Sequence, residues 1–224
     1  MTAIVFDSSV LISISEKCFL RVLRRFGEKN NVRFLVPESV FEETVIRPQS
    51  IRRFELNAVR LKSAVADGWL ELVPSSSSTR AHYSNIAQWS NHLFFVDNRP
   101  LELLHLGELE ALAVYKDRKA DALAIDERTC RMMLEDPGRL RSLISKRQDQ
   151  KIDVDTSNLK NFSDFFGKPV VVRSCDLLAL AFRQGLFADD LVSSRQGIEA
   201  ALWAVKFAGC AVSGLEIDQF VKGV

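Results

Sequence analysis

Acidic residues recur at the places where a parallel α/β fold would gather them. Asp7 closes the apolar run Ala3-Ile4-Val5-Phe6, and Asp126 follows Ala122-Leu123-Ala124-Ile125. Glu42 and Glu43 stand one helical turn beyond Phe34-Leu35-Val36-Pro37, and Glu108 and Glu110 open an Ala-rich helical stretch. In open α/β sheets the ligand site lies beyond the carboxyl ends of the strands. Carboxylates crowded there repel one another unless a cation joins them. Hard divalent ions such as Mg²⁺ or Mn²⁺ are held by a few carboxylates and keep several waters. Such an ion acidifies water and offsets charge developing on phosphate oxygens, and a pair about 4 Å apart does both. The chemistry suggested is metal-dependent phosphodiester hydrolysis, which requires no histidine.

The remaining composition excludes several alternatives. His82, His92 and His105 lack a metal-ligand spacing, and Cys18, Cys130, Cys175 and Cys210 form no C-x-x-C motif, so zinc is not expected. Each cysteine lies in an apolar or helical context and reads as a buried free thiol, which suits a reducing compartment. No signal peptide and no membrane-spanning apolar run is read, so the expected location is cytoplasmic. The net charge of +1 masks 30 basic and 29 acidic residues, so it does not argue against a nucleic-acid partner if the bases lie around an acidic centre. Arg47, Arg52 and Arg53 form one such basic cluster. Arg21, Arg24 and Arg25 form another, and a third runs from Arg139 to Lys151. Solvated helix faces are the favoured account of any one cluster, and only a cluster close to the acidic pocket takes the functional reading.

The elements that must position the acids follow from apolar periodicity and stop signals. Strands are expected at 3–6, 32–36, 69–73, 122–125 and 170–172, separated by helical stretches. Asp7, Ser8 and Ser9 mark the start of a helix running to Phe26, with Gly27 as its stop. A helix over 127–135 is expected to end at Pro137-Gly138, and further helices are expected at 174–184, 195–208 and 214–222. Two stretches show no clear period: 74–100, read as a loop or a helical excursion, and 138–168, read as a polar insertion with one short helix. The alternation implies an α/β/α sandwich around a central parallel sheet of about five strands, with helical insertions and C-terminal helices. Right-handed crossovers place the strand ends on one edge, where Asp7 and Asp126 meet. The expected organisation is one domain over 1–187, carrying both insertions, with a helical extension over 188–224 packed on it.

The words around the acids resemble those of PIN-domain nucleases. Ile4-Val5-Phe6-Asp7-Ser8-Ser9-Val10-Leu11-Ile12 is similar to the family's opening, and Val36-Pro37-Glu38-Ser39-Val40-Phe41-Glu42-Glu43 to its second acidic word. Leu106-Gly107-Glu108-Leu109-Glu110-Ala111 resembles the G-E-x-E-A helix start of one subgroup, and Ala124-Ile125-Asp126-Glu127-Arg128-Thr129-Cys130-Arg131 a strand-end word. The four words stand in the family's order. The resemblance implies Asp7, Glu43, Glu110 and Asp126 as catalytic, metal-binding carboxylates. Glu42, Glu108 and Glu127 are secondary acids, and Ser9 and Ser174 are hydroxyl supports. Near Ser174, Arg173 and Asp176 replace small glycines, and Asp176 is a further candidate for the acidic cluster. Arg131 is a candidate phosphate contact or a surface ion-pair partner. The implied activity is Mg²⁺- or Mn²⁺-dependent RNA cleavage, and the subgroup's bacterial toxins suggest an antitoxin partner. The apolar tail over 200–207 with Leu215, Ile217 and Phe220 reads as core, as a homodimer face or as an antitoxin surface. A PIN-like RNA- or protein-binding scaffold without turnover is the competing reading.

Overall fold

The computed structural model describes residues 1–187 and 194–223. Residues 188–193, where the expected C-terminal extension begins, and Val224 lie outside the described residues. The central sheet contains β1 (Thr2–Phe6), β2 (Val32–Pro37), β3 (Leu70–Val73), β6 (Ala122–Ala124) and β8 (Val170–Val172). Their order is β3-β2-β1-β6-β8, and every neighbouring pair is parallel.

Both faces of this sheet are covered, as the short continuous apolar runs require. Ile4 and Phe6 point into one core, packed by α1 (Ser8–Glu16), α2 (Leu20–Asn30), α4 (Glu55–Ala66) and α10 (Ser174–Arg183). Val10, Leu23, Leu61 and Leu178 are among the side chains these helices bury there. The same core takes Ile198, Leu202 and Val205 of α11 (Arg195–Ala208) and Ile217 and Val221 of α12 (Gly214–Lys222). Val5 points the other way, towards Leu109 and Leu112 of α6 (Leu106–Asp117) and Cys130 and Met133 of α7 (Arg128–Glu135). The two-residue period of the strand thus feeds both cores. The expected α/β/α architecture with a five-stranded parallel sheet is what the chain forms.

The first helix is shorter than its pattern suggested. Cys18 takes a left-handed conformation (φ 63°) that breaks the expected 8–26 helix into α1 and α2. Cys18 is also exposed, unlike the other three cysteines, so it corrects the expectation of four buried thiols. Gly27 does not stop α2, which ends at Asn30 with Asn31 left-handed beyond it. Its role is close approach: a Cβ there would lie 2.5 Å from Phe34 Cε2.

The two irregular stretches carry more structure than their sequence period implied. Residues 74–100 contain α5 (Ser77–Ser90), β4 (Phe94–Val96) and β5 (Arg99–Pro100). A Ser76/Thr79 capping box starts α5, and both hydroxyls also bond Asp117 of α6. Asp97 and Asn98 both have positive φ and close the β4–β5 hairpin. Residues 138–168 take part in α8 (Pro137–Gln148), β7 (Asp153–Val154) and α9 (Thr156–Phe166), so two helices replace the one expected. Pro137 opens α8, with the Asp136 side chain as its cap, because proline suits the first helical turn. β7 joins β4 in a second, antiparallel sheet, which links the two insertions.

Candidate active site

The acidic edge is built by β1 and β6 lying side by side. Phe6 pairs with Ala124, and the Asp7 N–H donates to the Ala124 carbonyl at 3.0 Å. Asp7 and Asp126 lie just past the ends of these paired strands. Asp7 caps α1, with its Oδ2 accepting from Ser9 N–H at 3.1 Å and from the Ser9 hydroxyl. Ser9 Oγ in turn accepts from Asp126 N–H at 3.0 Å. A single hydroxyl therefore bridges the two strand ends.

Each aspartate keeps one oxygen bonded and one bare. Asp126 Oδ1 accepts from Ser174 N–H, the first residue of α10, at 2.8 Å. Asp7 Oδ1, Asp126 Oδ2 and Ser174 Oγ are buried and have no hydrogen-bond partner among the described residues. Buried polar atoms are nearly always paired, so three orphans at one place require an explanation. Burial raises the Asp7 carboxyl above its ordinary range against the pull of the Ser9 hydrogen bonds, and the neighbouring Glu43 raises it further.

Three more acids surround this pair. α3 (Glu38–Phe41) runs into a wide π-helical turn, Glu42–Ile46, which carries Glu43. The Glu43 carboxylate sits against Gly107, where a Cβ would come within 2.7 Å of Oε2. Glycine at this position lets the two elements approach closely. Glu108, in the first turn of α6, accepts from His105 N–H at 2.7 Å. Its carboxyl is pushed up to about 8, first by burial and then by Asp7, Glu127 and Glu43. Glu127 caps α7 through Cys130 N–H at 2.8 Å.

Glu110 lies apart from that group. Its Oε2 accepts from Ser39 N–H of α3 at 2.7 Å, and its Oε1 accepts from the Ser75 hydroxyl. Two residues along a helix turn a side chain about 200°, so Glu108 and Glu110 face different ways. That spacing was a usable signal in the sequence that the two point in different directions. Glu110 instead pins the start of the α3 segment that carries Glu43. Ser39 and Ser75, which the sequence did not single out, complete this contact.

The other expected residues occupy varied places. Glu42 is exposed, 3.6 Å from Arg47. Asp176 is ion-paired with Arg173 at 2.9 Å, and Arg173 also reaches Glu216 at 2.8 Å. Arg131 donates to the Ala211 carbonyl at 3.2 Å, and its Nε lies 3.6 Å from Glu135. Arg52 pairs with Glu55 on the surface, and Arg53 lies over the Phe54 ring. Ala211, also unnoticed in the sequence, donates its N–H to the Asp126 carbonyl at 3.1 Å.

Among the described residues, no group of three or more His, Cys, Asp or Glu side chains closes tightly enough to hold a metal. The donor set still has the chemistry for a hard cation: oxygen ligands only, two of them buried and bare, with a third acid whose affinity for a proton is raised.

A family model described as a PIN domain matches residues 3–138, more than half of the chain. The chain belongs to the PIN-domain family, whose members are generally nucleases. The matched span holds Asp7, Glu43, Glu108, Glu110, Asp126 and Glu127, whereas Ser174 lies beyond it. No curated protein and no solved structure matches the chain. Among the described residues no helix is long and apolar enough to cross a membrane.

Proposed function

We propose that this chain is a divalent-metal-dependent ribonuclease that hydrolyses RNA phosphodiester bonds at the Asp7–Asp126 edge. The observation that carries this reading is the pair of bare, buried oxygens, Asp7 Oδ1 and Asp126 Oδ2, on adjacent strand ends. Asp7 and Asp126 would hold Mg²⁺ or Mn²⁺ directly, with Glu43 and Glu108 completing the site. Glu110, expected from the family words as a ligand, is assigned here to holding the α3 segment. Bound there, the cation supplies charge against the phosphate oxygens and lowers the pKa of a water.

The chain's own groups prepare that chemistry. Ser9 ties up Asp7 Oδ2, and Ser174 N–H ties up Asp126 Oδ1, so one oxygen of each aspartate is left to a ligand. Glu108, with its carboxyl raised to about 8, holds a proton near neutral pH and gives it up when positive charge arrives. Arg47 and its neighbours provide cationic contacts for a phosphate backbone. The test is cleavage of single-stranded RNA with Mn²⁺ or Mg²⁺, comparing the native chain with Asp7→Asn. Equal rates would overturn the assignment.

A cytoplasmic toxin restrained by an antitoxin protein is the biological form of this reading. Phe207 and Leu215, 79% and 76% exposed at the C-terminal helices, offer an apolar face for such a partner or for a second copy. Growth arrest on expression, relieved by Asp126→Asn, is the expected result. The scaffold reading is favoured by one observation, the lack of a closed three-ligand group among the described residues. Titration calorimetry separates the two, because a scaffold shows no Mn²⁺ uptake that depends on Asp126.

A further inference from the structure

We infer that the apolar pocket beside Glu43 is a base-binding subsite, taking one nucleobase of a single strand whose phosphate lies at the acidic centre. This rests on the nuclease reading above. The pocket lies between α1, the π-helical turn and α4, with a volume of about 290 Å³. That is at the small end of ligand pockets, roughly 300–1,000 Å³, and suits one flat ring system rather than the face of a helix. Ile12, Pro48, Ile51 and Phe54 line it, and Glu43 lies on its wall, so the pocket and the acidic centre share a residue.

Charge complementarity selects the occupant. A nucleic-acid strand alternates a neutral ring with an anionic phosphate, and this surface sets an apolar slot beside cationic side chains. Arg47 lines the pocket, and the Arg53 guanidinium lies 5.4 Å from the Phe54 ring centroid at its edge. Arg47, 3.6 Å from Glu42, and Arg53 thus stand beside an apolar slot with an aromatic wall, whose lining also includes Glu16 and Glu43. Asn57 also lines the slot, and its side-chain amide makes no hydrogen bond among the described residues. Both ends of that amide are free to meet a base edge.

The experiment measures binding of a short single-stranded RNA by fluorescence anisotropy in Ca²⁺. Abasic riboses are placed at one position after another, and cleavage of each oligonucleotide is followed in parallel with Mn²⁺. One position is expected to weaken binding about 5- to 150-fold when its base is absent, the range of base–aromatic stacking. Phe54→Ala should erase that penalty, and Phe54→Trp should keep it. No sensitive position, or a penalty unchanged in Phe54→Ala, overturns the subsite even if cleavage proceeds. A Phe54-dependent penalty without any cleavage leaves the subsite standing and overturns the nuclease reading instead. A concentration-dependent dimer abolished by Phe54→Ala, with RNA binding unaltered, assigns the pocket to a second copy and also overturns the subsite. So does tight binding of a Leu/Lys amphipathic helical peptide that depends on Phe54 and does not compete with RNA.

Discussion

Two charged regions flank Asp126, and they resolve their charge in opposite ways. On one side Arg173 is satisfied by Asp176, Glu216 and the Ala211 carbonyl. Burial alone would raise Glu216, yet the Ser213 N–H and Arg173 hold it down to about 2. On the other side Asp7, Glu43 and Glu127 crowd Glu108, and the Asp7 and Glu108 carboxyls are pushed upward. The first region is neutral within itself and works as a brace. The second is left short of positive charge, which under the proposed reading a bound cation supplies. Charges that a fold leaves unbalanced are better guides to function than charges it pairs.

Exchanging the behaviour of the two regions would break this comparison, and the largest effect is expected at the unpaired acids. Asp7→Asn should lower Mn²⁺-dependent RNA cleavage roughly 100-fold or more. In metal-free buffer the same change should raise the melting temperature by roughly 2–4 °C, since a buried charge is removed. A stable variant with full activity would place the chemistry elsewhere. In the brace the signs reverse: Arg173→Met should cost about 3 kcal/mol in urea unfolding, because two carboxylates lose their partner. A loss well under 1 kcal/mol would mean that solvent already satisfies those acids.

Glu110 sharpens the distinction further. Glu110→Ala strands the Ser39 N–H and the Ser75 hydroxyl and should cost about 1–3 kcal/mol. Glu110→Gln keeps an acceptor for Ser39 and should retain most Mn²⁺ affinity by calorimetry. Loss of affinity equal to that of Asp7→Asn would return Glu110 to the ligand set. The smallest effect is a slope with pH. Glu108 has a folded value of about 8 against an ordinary 4.5, so it favours the folded state while protonated. Metal-free stability should be full below pH 4.5 and should fall as pH rises through about 8. Glu108→Gln should flatten that decline in a series of thermal melts.

Much of this was legible in the sequence, for identifiable reasons. Strands buried on both faces are short apolar runs, and all five of the central sheet could be read from them. Asp7 and Asp126 could be placed because they end two such runs. Glu108 and Glu110 were both noticed, but the contacts of Glu110 with Ser39 and Ser75, both distant in the chain, left no signal in the sequence. The insertions were obscure because α5 and α9 are fixed mainly by contacts with other elements. Phe165 and Phe166 pack with Trp89 and Tyr115, and Lys116 lies 4.8 Å from the Phe165 ring centroid. The break at Cys18 gave no signal, since cysteine rarely adopts a left-handed conformation.

The contact between Ala211 and Asp126 sets an order of events during biosynthesis. The ribosome delivers Asp126 well before Ala211, so the carbonyl of Asp126 waits for its final donor until the last helices have been made. In an unfinished polypeptide that carbonyl therefore lacks this partner, while the Asp126 side chain already has the Ser174 N–H to bond.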